Sequence, residues 1–224
     1  ADVISVIIPI GAESDMEGVI DLVNQKEILY KDEKGENIEI VDIREDLKAE
    51  VKEYRDKLIE AAAEANDELL EKFLENGELS IEEIKVGIRK RTLDGEIVPA
   101  FCGTAFKNKG VQPLLDAVID YLPSPKDTVS VDGVNPKTGN TEERKANETD
   151  PFSALAFKIQ TDPFVGRLTY LRIYSGKLTP GSYVLNATSS NRERVGRVLQ
   201  MHANSRSELN EAKAGDIIGV IGLK

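Results

Sequence analysis

A change of pattern near residue 150 constrains this chain of 224 residues more than any other feature of its sequence. Residues 1–150 contain long stretches with helical periodicity, whereas residues 151–224 contain short β-rich runs separated by Gly and Pro turns. Residues 151–224 also carry ten Lys and Arg against five Asp and Glu, a charge of +5, so residues 1–150 carry −16 within the total of −11. The asymmetry predicts two domains that face different partners, although both surfaces could also be merely solubilising.

Several classes of protein are excluded by what the sequence lacks. No run of eighteen apolar residues occurs, which argues against a membrane-spanning helix, and the first residues do not resemble a signal peptide. A single cysteine, Cys102, excludes an internal disulfide framework and indicates a reducing compartment, so we expect a cytoplasmic protein. With one histidine, His202, a zinc site built from His and Cys is excluded.

The first part of the chain has the pattern of an α/β fold. Residues 3–10 predict one buried strand, residues 19–23 a strand or a helix, and residues 27–41 a hairpin around Gly35. Apolar residues at spacings of three and four over 47–73 predict one long helix, capped by Asp42 or Asp46 and ended by Asn76-Gly77.

A capping-box pattern and a strand–loop–helix unit follow. Ser80 and Glu83 predict the start of a helix whose inner face is Ile81, Ile84 and Ile88. Residues 97–102 then predict a strand, and residues 111–121 a helix closed by Pro123. We expect the inner face of this last helix to be formed by Leu114, Leu115, Val118 and Ile119.

The second part of the chain has the pattern of a small barrel. Strands are predicted over 154–159, 166–175, 182–186, 194–201 and 216–222, with turns such as Thr179-Pro180-Gly181 between them. The predicted organisation is an α/β domain over residues 1–122, a Pro- and Gly-containing linker over 123–150, and an incomplete all-β barrel over 151–224.

Three features could carry a function, and each has a purely structural alternative. The small residues of the loop 103–110 would let backbone amides approach a ligand, although any α/β protein has such loops. The acidic residues of 60–83 recur at helical spacing and could attract a basic partner, or be a solvated face. Arg192, Arg194 and Arg197 would suit the phosphates of RNA, and Arg192 and Arg194 should share one face of a strand.

Nucleotide motifs are incomplete in this sequence. No G-x-x-x-x-G-K followed by Ser or Thr occurs, so no loop of that kind can cradle the β- and γ-phosphates. Asp15 to Gly18 fits D-x-x-G, a pattern expected by chance, and Asn108-Lys109 lacks the Asp that a guanine-specific N-K-x-D motif requires.

Longer segments resemble the elongation factor G family of bacterial translational GTPases. Residues 6–13 and 18–22 are similar to the start of the subdomain inserted in its GTPase domain, and residues 101–112 resemble its last guanine-contacting loop. Residues 114–118 and 121–125 continue that similarity. Residues 162–176, 201–204 and 214–216 resemble its second domain. The resemblance covers nearly the whole chain and implies an internal segment: the end of a GTPase domain with its insert, and most of a β-barrel.

The resemblance implies a GTP-dependent factor that moves tRNA and mRNA on the ribosome. Its nucleotide would be GTP or GDP with Mg²⁺ in the full-length protein, and the loop residues Thr104, Ala105 and Phe106 would contact guanine, the amide of Ala105 meeting its O6 atom. We expect no catalytic residue, no metal ligand and no binding of GTP in this segment alone.

The partners implied are the ribosomal large-subunit stalk protein and small-subunit rRNA, without a membrane. The stalk candidates are Glu60, Glu64, Asp67, Glu68 and Glu71. The rRNA candidates are Arg192, Arg194 and Arg197. The alternatives are a related ribosome-acting GTPase of the ribosomal-protection or release-factor type, and a stand-alone ribosome-binding module.

Overall fold

A computed structural model describes residues 1–127, 130–135, 138–162, 166–203 and 205–224. The motif residues Pro163, Phe164, Val165 and Asn204 therefore lie outside the described residues. The chain divides into two compact units, Ala1–Pro123 and Ser124–Lys224. No helix among the described residues combines the length and the apolar composition needed to cross a membrane.

The first unit has mixed α/β structure. Its elements in chain order are β1 (Asp2–Ser5), β2 (Ile7–Ile10), β3 (Gly18–Asp21), β4 (Lys26–Tyr30), β5 (Ile38–Asp42), α1 (Lys48–Ala63), α2 (Asp67–Asn76), α3 (Ile81–Leu93), β6 (Ile97–Ala100) and α4 (Val111–Tyr121). β1 pairs in parallel with β6, and β2, β3, β4 and β5 form an antiparallel sheet in that order. The predicted hairpin of residues 27–41 is confirmed as β4 and β5.

The predicted single strand over residues 3–10 is wrong, because the chain changes sheets at Val6. The N–H of Val6 donates to the carbonyl of Ala100, next to the β1–β6 pair, while its own carbonyl accepts from Leu22, next to the β2–β3 pair. The two halves of the segment consequently belong to different sheets.

The predicted long helix is also divided. α1 ends at Ala63, and the side chain of Asn66 accepts a hydrogen bond from the N–H of Leu69 and begins α2. Neither Asp42 nor Asp46 caps α1, which follows a 3-10 turn at Glu45–Leu47. Gly77 ends α2 in the left-handed conformation, as predicted.

The helices α1 and α3 supply much of the core of the first unit. Leu58, Ile59, Ile84 and Ile88 are almost fully buried together with Ile20 of β3. Burying each such side chain contributes about 1.5–3 kcal/mol. The capping box predicted for Ser80 and Glu83 is present at the start of α3. Ile81, however, is exposed rather than part of the inner face.

The second unit consists of strands among its described residues. They are β7 (Val131–Val134), β8 (Thr141–Arg144), β9 (Ser153–Asp162), β10 (Gly166–Ser175), β11 (Lys177–Leu178), β12 (Tyr183–Asn186), β13 (Asn191–Arg194), β14 (Val198–His202), β15 (Ser205–Leu209), β16 (Ala212–Lys213) and β17 (Ile217–Ile221). A five-stranded sheet has the order β15-β14-β17-β10-β9, and the ladders β11-β16 and β12-β13 accompany it around a separate core. The predicted fold class, α/β followed by a barrel-like all-β region, is confirmed.

Two details of this unit differ from a plain linker followed by regular strands. Within the predicted linker, residues 123–150, β7 pairs with β8, and the segment after Pro123 groups with the second unit. The predicted strand 194–201 is interrupted at residues 195–197, which belong to no strand: Val195 is buried, and Gly196 lies against Ile221, whose carbonyl accepts its N–H at 2.9 Å. A Cβ on Gly196 would lie 2.4 Å from that oxygen.

Candidate functional site

The loop 103–110 joins β6 to α4 and is closed at its neck by backbone hydrogen bonds. The N–H of Thr104 donates to the carbonyl of Lys109 at 2.9 Å, and the N–H of Lys109 donates back at 3.1 Å. Residues Ala105–Lys107 form a 3-10 turn between them, and Asn108 is left-handed with φ 52°. Ala105 and Phe106 lie exposed at the apex, so the loop presents a small, fixed backbone surface.

Glycines make the neck of the loop narrow. A Cβ on Gly103 would lie 2.6 Å from the carbonyl oxygen of Lys109, and one on Gly110 would lie 2.5 Å from that of Cys102. Gly110 also has φ +77°, a conformation that glycine adopts without steric cost. The two ends of the loop can therefore approach each other this closely only because neither Gly103 nor Gly110 has a side chain.

Contacts from the four-stranded sheet hold the loop from one side. The Tyr30 hydroxyl, at the end of β4, accepts the N–H of Gly110 at 2.7 Å and donates to Oε1 of Gln112 at 3.1 Å. Burial raises the pKa of Tyr30 above its ordinary value, so the hydroxyl keeps its proton at neutral pH. The Nζ atom of Lys109 donates to the carbonyl of Met16 at 2.8 Å. Sequence reasoning does not find Tyr30, because no local pattern connects residues so far apart.

The turn between β4 and β5 is the second support of the loop. Asp32 accepts the N–H groups of Lys34, Glu36 and Asn37, and these bonds hold the pKa of its carboxyl below the ordinary value. The carbonyl of Gly35 accepts from Asn108 Nδ2 at 3.3 Å. The turn is therefore ordered by its own aspartate and hydrogen-bonded to the loop.

The start of the exposed 3-10 turn is the place where the sequence predicts a contact with a guanine base. The first N–H groups of a helical turn have no acceptor within that turn, and this turn begins at Ala105. Thr104 before it is extended, so the N–H of Ala105 stands at the start of an exposed turn where a carbonyl oxygen could accept it. Within the described ranges, no group of three or more His, Cys, Asp or Glu is placed to hold a metal ion.

The acidic candidates do not form the single helical stripe expected from the sequence. Glu60 lies in the last turn of α1, and Glu64 follows that helix, where its carboxylate pairs with Arg91. The helix break separates both from Asp67, Glu68 and Glu71, which are exposed on α2. Of the five candidates, only these last three therefore share an acidic face. Asp67 and Glu68 lie in the first turn of α2, where a negative charge interacts favourably with the helix dipole.

The arginine candidates lie on and beside the short β12–β13 ladder. Arg192 and Arg194 are exposed on β13 while Glu193 between them is half-buried, which confirms the predicted alternation. The guanidinium of Arg192 stands over the ring of Tyr183 at 4.6 Å. Arg197 lies outside this ladder and forms an exposed ion pair with Glu208, which contributes little to stability and leaves the arginine available.

Comparison with known proteins gives one similarity for the second unit and one for the chain as a whole. Residues 151–224 match the model of the family described as elongation factor G domain 2. The match covers most of the second unit, Ser124–Lys224. The chain also resembles a crystal structure from Thermus thermophilus with a TM-score of 0.75 and 26% sequence identity. The match covers 98% of this chain and 30% of that one, so the chain spans about a third of the length of the protein it resembles. The resemblance to elongation factor G drawn from the sequence is confirmed: residues 151–224 match its domain 2, and the whole chain is similar to a part of the Thermus structure.

Proposed function

We propose that the chain is part of a GTP-dependent translocase that moves tRNA and mRNA on the ribosome in the cytoplasm. The observation that carries the proposal is the match of residues 151–224 to elongation factor G domain 2, in the same chain as an exposed loop that is closed by backbone hydrogen bonds. In this proposal Thr104, Ala105 and Phe106 surround the base of GTP or GDP, and the N–H of Ala105 donates to guanine O6. The phosphates and Mg²⁺ would be held by residues outside this segment.

The segment alone should not bind or hydrolyse GTP. One neutral hydrogen bond contributes about 0.5–1.5 kcal/mol, whereas micromolar affinity requires about 8 kcal/mol. Titration calorimetry of the 224-residue chain with GDP should therefore give no measurable heat of binding. A micromolar constant would contradict this part of the proposal.

The base contact can be tested by removing one N–H group. Ala105→Pro deletes the amide hydrogen at a position that accepts proline, because Ala105 starts a helical turn and Thr104 before it is extended. Ala105→Ser keeps the N–H and serves as the control. In the complete factor, we expect Ala105→Pro to lower GDP affinity by roughly threefold to tenfold and Ala105→Ser to leave it unchanged. Equal affinities would exclude this contact.

The stalk protein of the large ribosomal subunit is the proposed partner of the acidic face. The sequence candidates are Glu60, Glu64, Asp67, Glu68 and Glu71, and α2 presents the last three together. Reversing Asp67, Glu68 and Glu71 to Lys in the complete factor should reduce stalk-dependent stimulation of GTP hydrolysis. A control reverses three exposed acids of α1, Glu50, Glu53 and Asp56. Equal stimulation of the two triple variants would contradict the assignment.

Small-subunit rRNA is the proposed partner of Arg192, Arg194 and Arg197. Contacts to phosphates release counterions, so affinity should fall as salt rises, with a slope that reports the number of contacts. Replacing the three arginines with Gln should weaken binding to rRNA. It should also reduce the slope of the logarithm of the binding constant against the logarithm of the salt concentration by roughly two to three. The control replaces Lys158, Lys177 and Lys213 with Gln. A slope that the arginine variant leaves unchanged would contradict the assignment.

A further inference from the structure

The end of the four-stranded sheet forms a clamp on the candidate base loop. Three successive loop residues are held from outside the loop: Asn108 by Gly35, Lys109 by Met16 and Gly110 by Tyr30. These anchors come from the turn between β4 and β5, the segment before β3, and the end of β4. The loop therefore takes its position from the sheet rather than only from the strand and helix that it joins.

Tyr30 is the central member of this clamp. Tyr30 is 6% exposed, and its hydroxyl both accepts the N–H of Gly110 and donates to the side chain of Gln112. Gly110 is the N-cap residue of α4 and supplies no capping side chain. The tyrosine therefore binds the point where the loop ends and the helix begins.

The hairpin turn also fills the space beside the loop. A Cβ on Gly35 would lie 2.5 Å from the carbonyl oxygen of Asn108 and 2.7 Å from that of Lys107. The carbonyl of Gly35 in turn accepts from Asn108 and, at 3.4 Å, from Gln112. Backbone packed this closely cannot move independently, so a displacement of the turn displaces the 3-10 turn that carries Ala105.

We propose that Tyr30 is a positioning residue for nucleotide recognition, and that the clamp fixes the N–H of Ala105 where only a base with an oxygen at position 6 can accept it. Tyr30 does not touch the nucleotide and acts through Gly110. The inference rests on the proposed function, since it presumes that the loop binds the base. It adds that the β2–β5 sheet sets the selectivity of that contact.

The test compares two nucleotides on the complete factor. GDP carries the O6 acceptor, whereas the diphosphate of 2-aminopurine riboside has hydrogen at position 6 and also lacks the hydrogen on N1, so the effect of each variant is read from the change in the ratio of the two affinities. Tyr30→Phe keeps the buried ring and removes only the hydroxyl. We expect the variant to bind GDP roughly threefold to tenfold more weakly than the wild type and to bind the 2-aminopurine nucleotide equally well. Tyr54→Phe, on α1, is the control and should change neither affinity.

A second variant keeps the proposal falsifiable if Tyr30→Phe impairs folding. Asn108→Gly removes the hydrogen bond to the carbonyl of Gly35, and glycine suits the left-handed backbone at that position. The variant should bind GDP more weakly than the wild type and bind the 2-aminopurine nucleotide equally well. Hydrogen exchange of the 224-residue chain gives an independent readout, because the Gly110 amide should exchange faster in Tyr30→Phe.

The outcomes separate the two proposals. If the wild type does not distinguish the two nucleotides, the base contact itself fails. If the wild type distinguishes them and both Tyr30→Phe and Asn108→Gly retain the same ratio of affinities, the loop binds the base but the clamp does not position it, and the inference is overturned.

Discussion

The guanidinium of Arg89 in α3 donates to the backbone carbonyl of Asp120 in α4 at 2.9 Å. The same nitrogen lies 3.1 Å from the carbonyl oxygen of Leu122 and 3.3 Å from that of Ile119. The last carbonyl groups of a helix have no partner within it, and they favour a nearby positive charge. Arg89 thus supplies from another helix the cap that the sequence of α4 does not provide.

Arg89→Ala should destabilise the first unit by about 2 kcal/mol, since hydrogen bonds from a charged donor contribute about 1.5–3 kcal/mol. The control is Lys90→Ala at the next position, where the exposed ion pair with Asp94 should be worth less than about 1 kcal/mol. Urea unfolding of both variants measures the difference. Equal midpoints would show that Arg89 does not cap α4.

The bounds of α4 follow from the sequence, but its buried face does not. Residues 111–121 are helical as predicted, whereas the expected inner residues Leu114, Leu115, Val118 and Ile119 are exposed. Ala117 and Tyr121 face the core instead. Apolar residues occur on both faces of this helix, so periodicity alone cannot say which face is covered, and that choice depends on the neighbouring elements.

The same limit applies to the helix break and to the loop. Periodicity continues from α1 into α2, and only the cap formed by Asn66 marks the division. The base loop can be predicted because its strand–loop–helix pattern is local. Its anchors, Tyr30 and Gly35, come from more than seventy residues earlier in the chain, and no sequence pattern predicts such a contact.

Substitutions on the two faces should distinguish the predicted from the observed burial. Ile119 is 78% exposed in the 224-residue chain, so Ile119→Gln should change the free energy of unfolding by less than about 0.5 kcal/mol. Ile84→Ala, in the core, should cost about 2–5 kcal/mol. Denaturant unfolding of both variants checks this. A large loss from Ile119→Gln would mean that this face of α4 is buried after all.

Substitution of two glycines with positive φ distinguishes the cost of backbone strain from the cost of close packing. A Cβ on Gly77, at φ +71°, would meet nothing within 4 Å, so Gly77→Ala should cost about 1 kcal/mol for the left-handed backbone alone. Gly35, at φ +63°, would place its Cβ against two loop carbonyl groups. Gly35→Ala should therefore cost about 1–3 kcal/mol more than Gly77→Ala. If thermal unfolding shows that the two variants lose the same stability, the turn at Gly35 is not closely packed against the loop.

The capping box of α3 should give stability a specific dependence on pH. A hydrogen bond from Lys72, followed by those from Ser80, lowers the pKa of Glu83 from 4.5 to about 2. A carboxylate whose pKa is depressed by folding stabilises the protein fully above its unfolded pKa, and this stabilisation is lost as pH falls through the folded value. The contribution of Glu83 should therefore be complete above about pH 4.5 and disappear toward pH 2.

Glu83→Gln tests this window by comparison with the wild type. At pH 7 the variant should unfold at a lower urea concentration, because Gln lacks the charge that binds Lys72. The gap between the two midpoints should close progressively from about pH 4.5 to about pH 2, while Glu82→Gln, at the exposed neighbouring position, should follow the wild type throughout. A gap that stays constant over that range would show that the carboxylate of Glu83 does not stabilise the start of α3 through its charge.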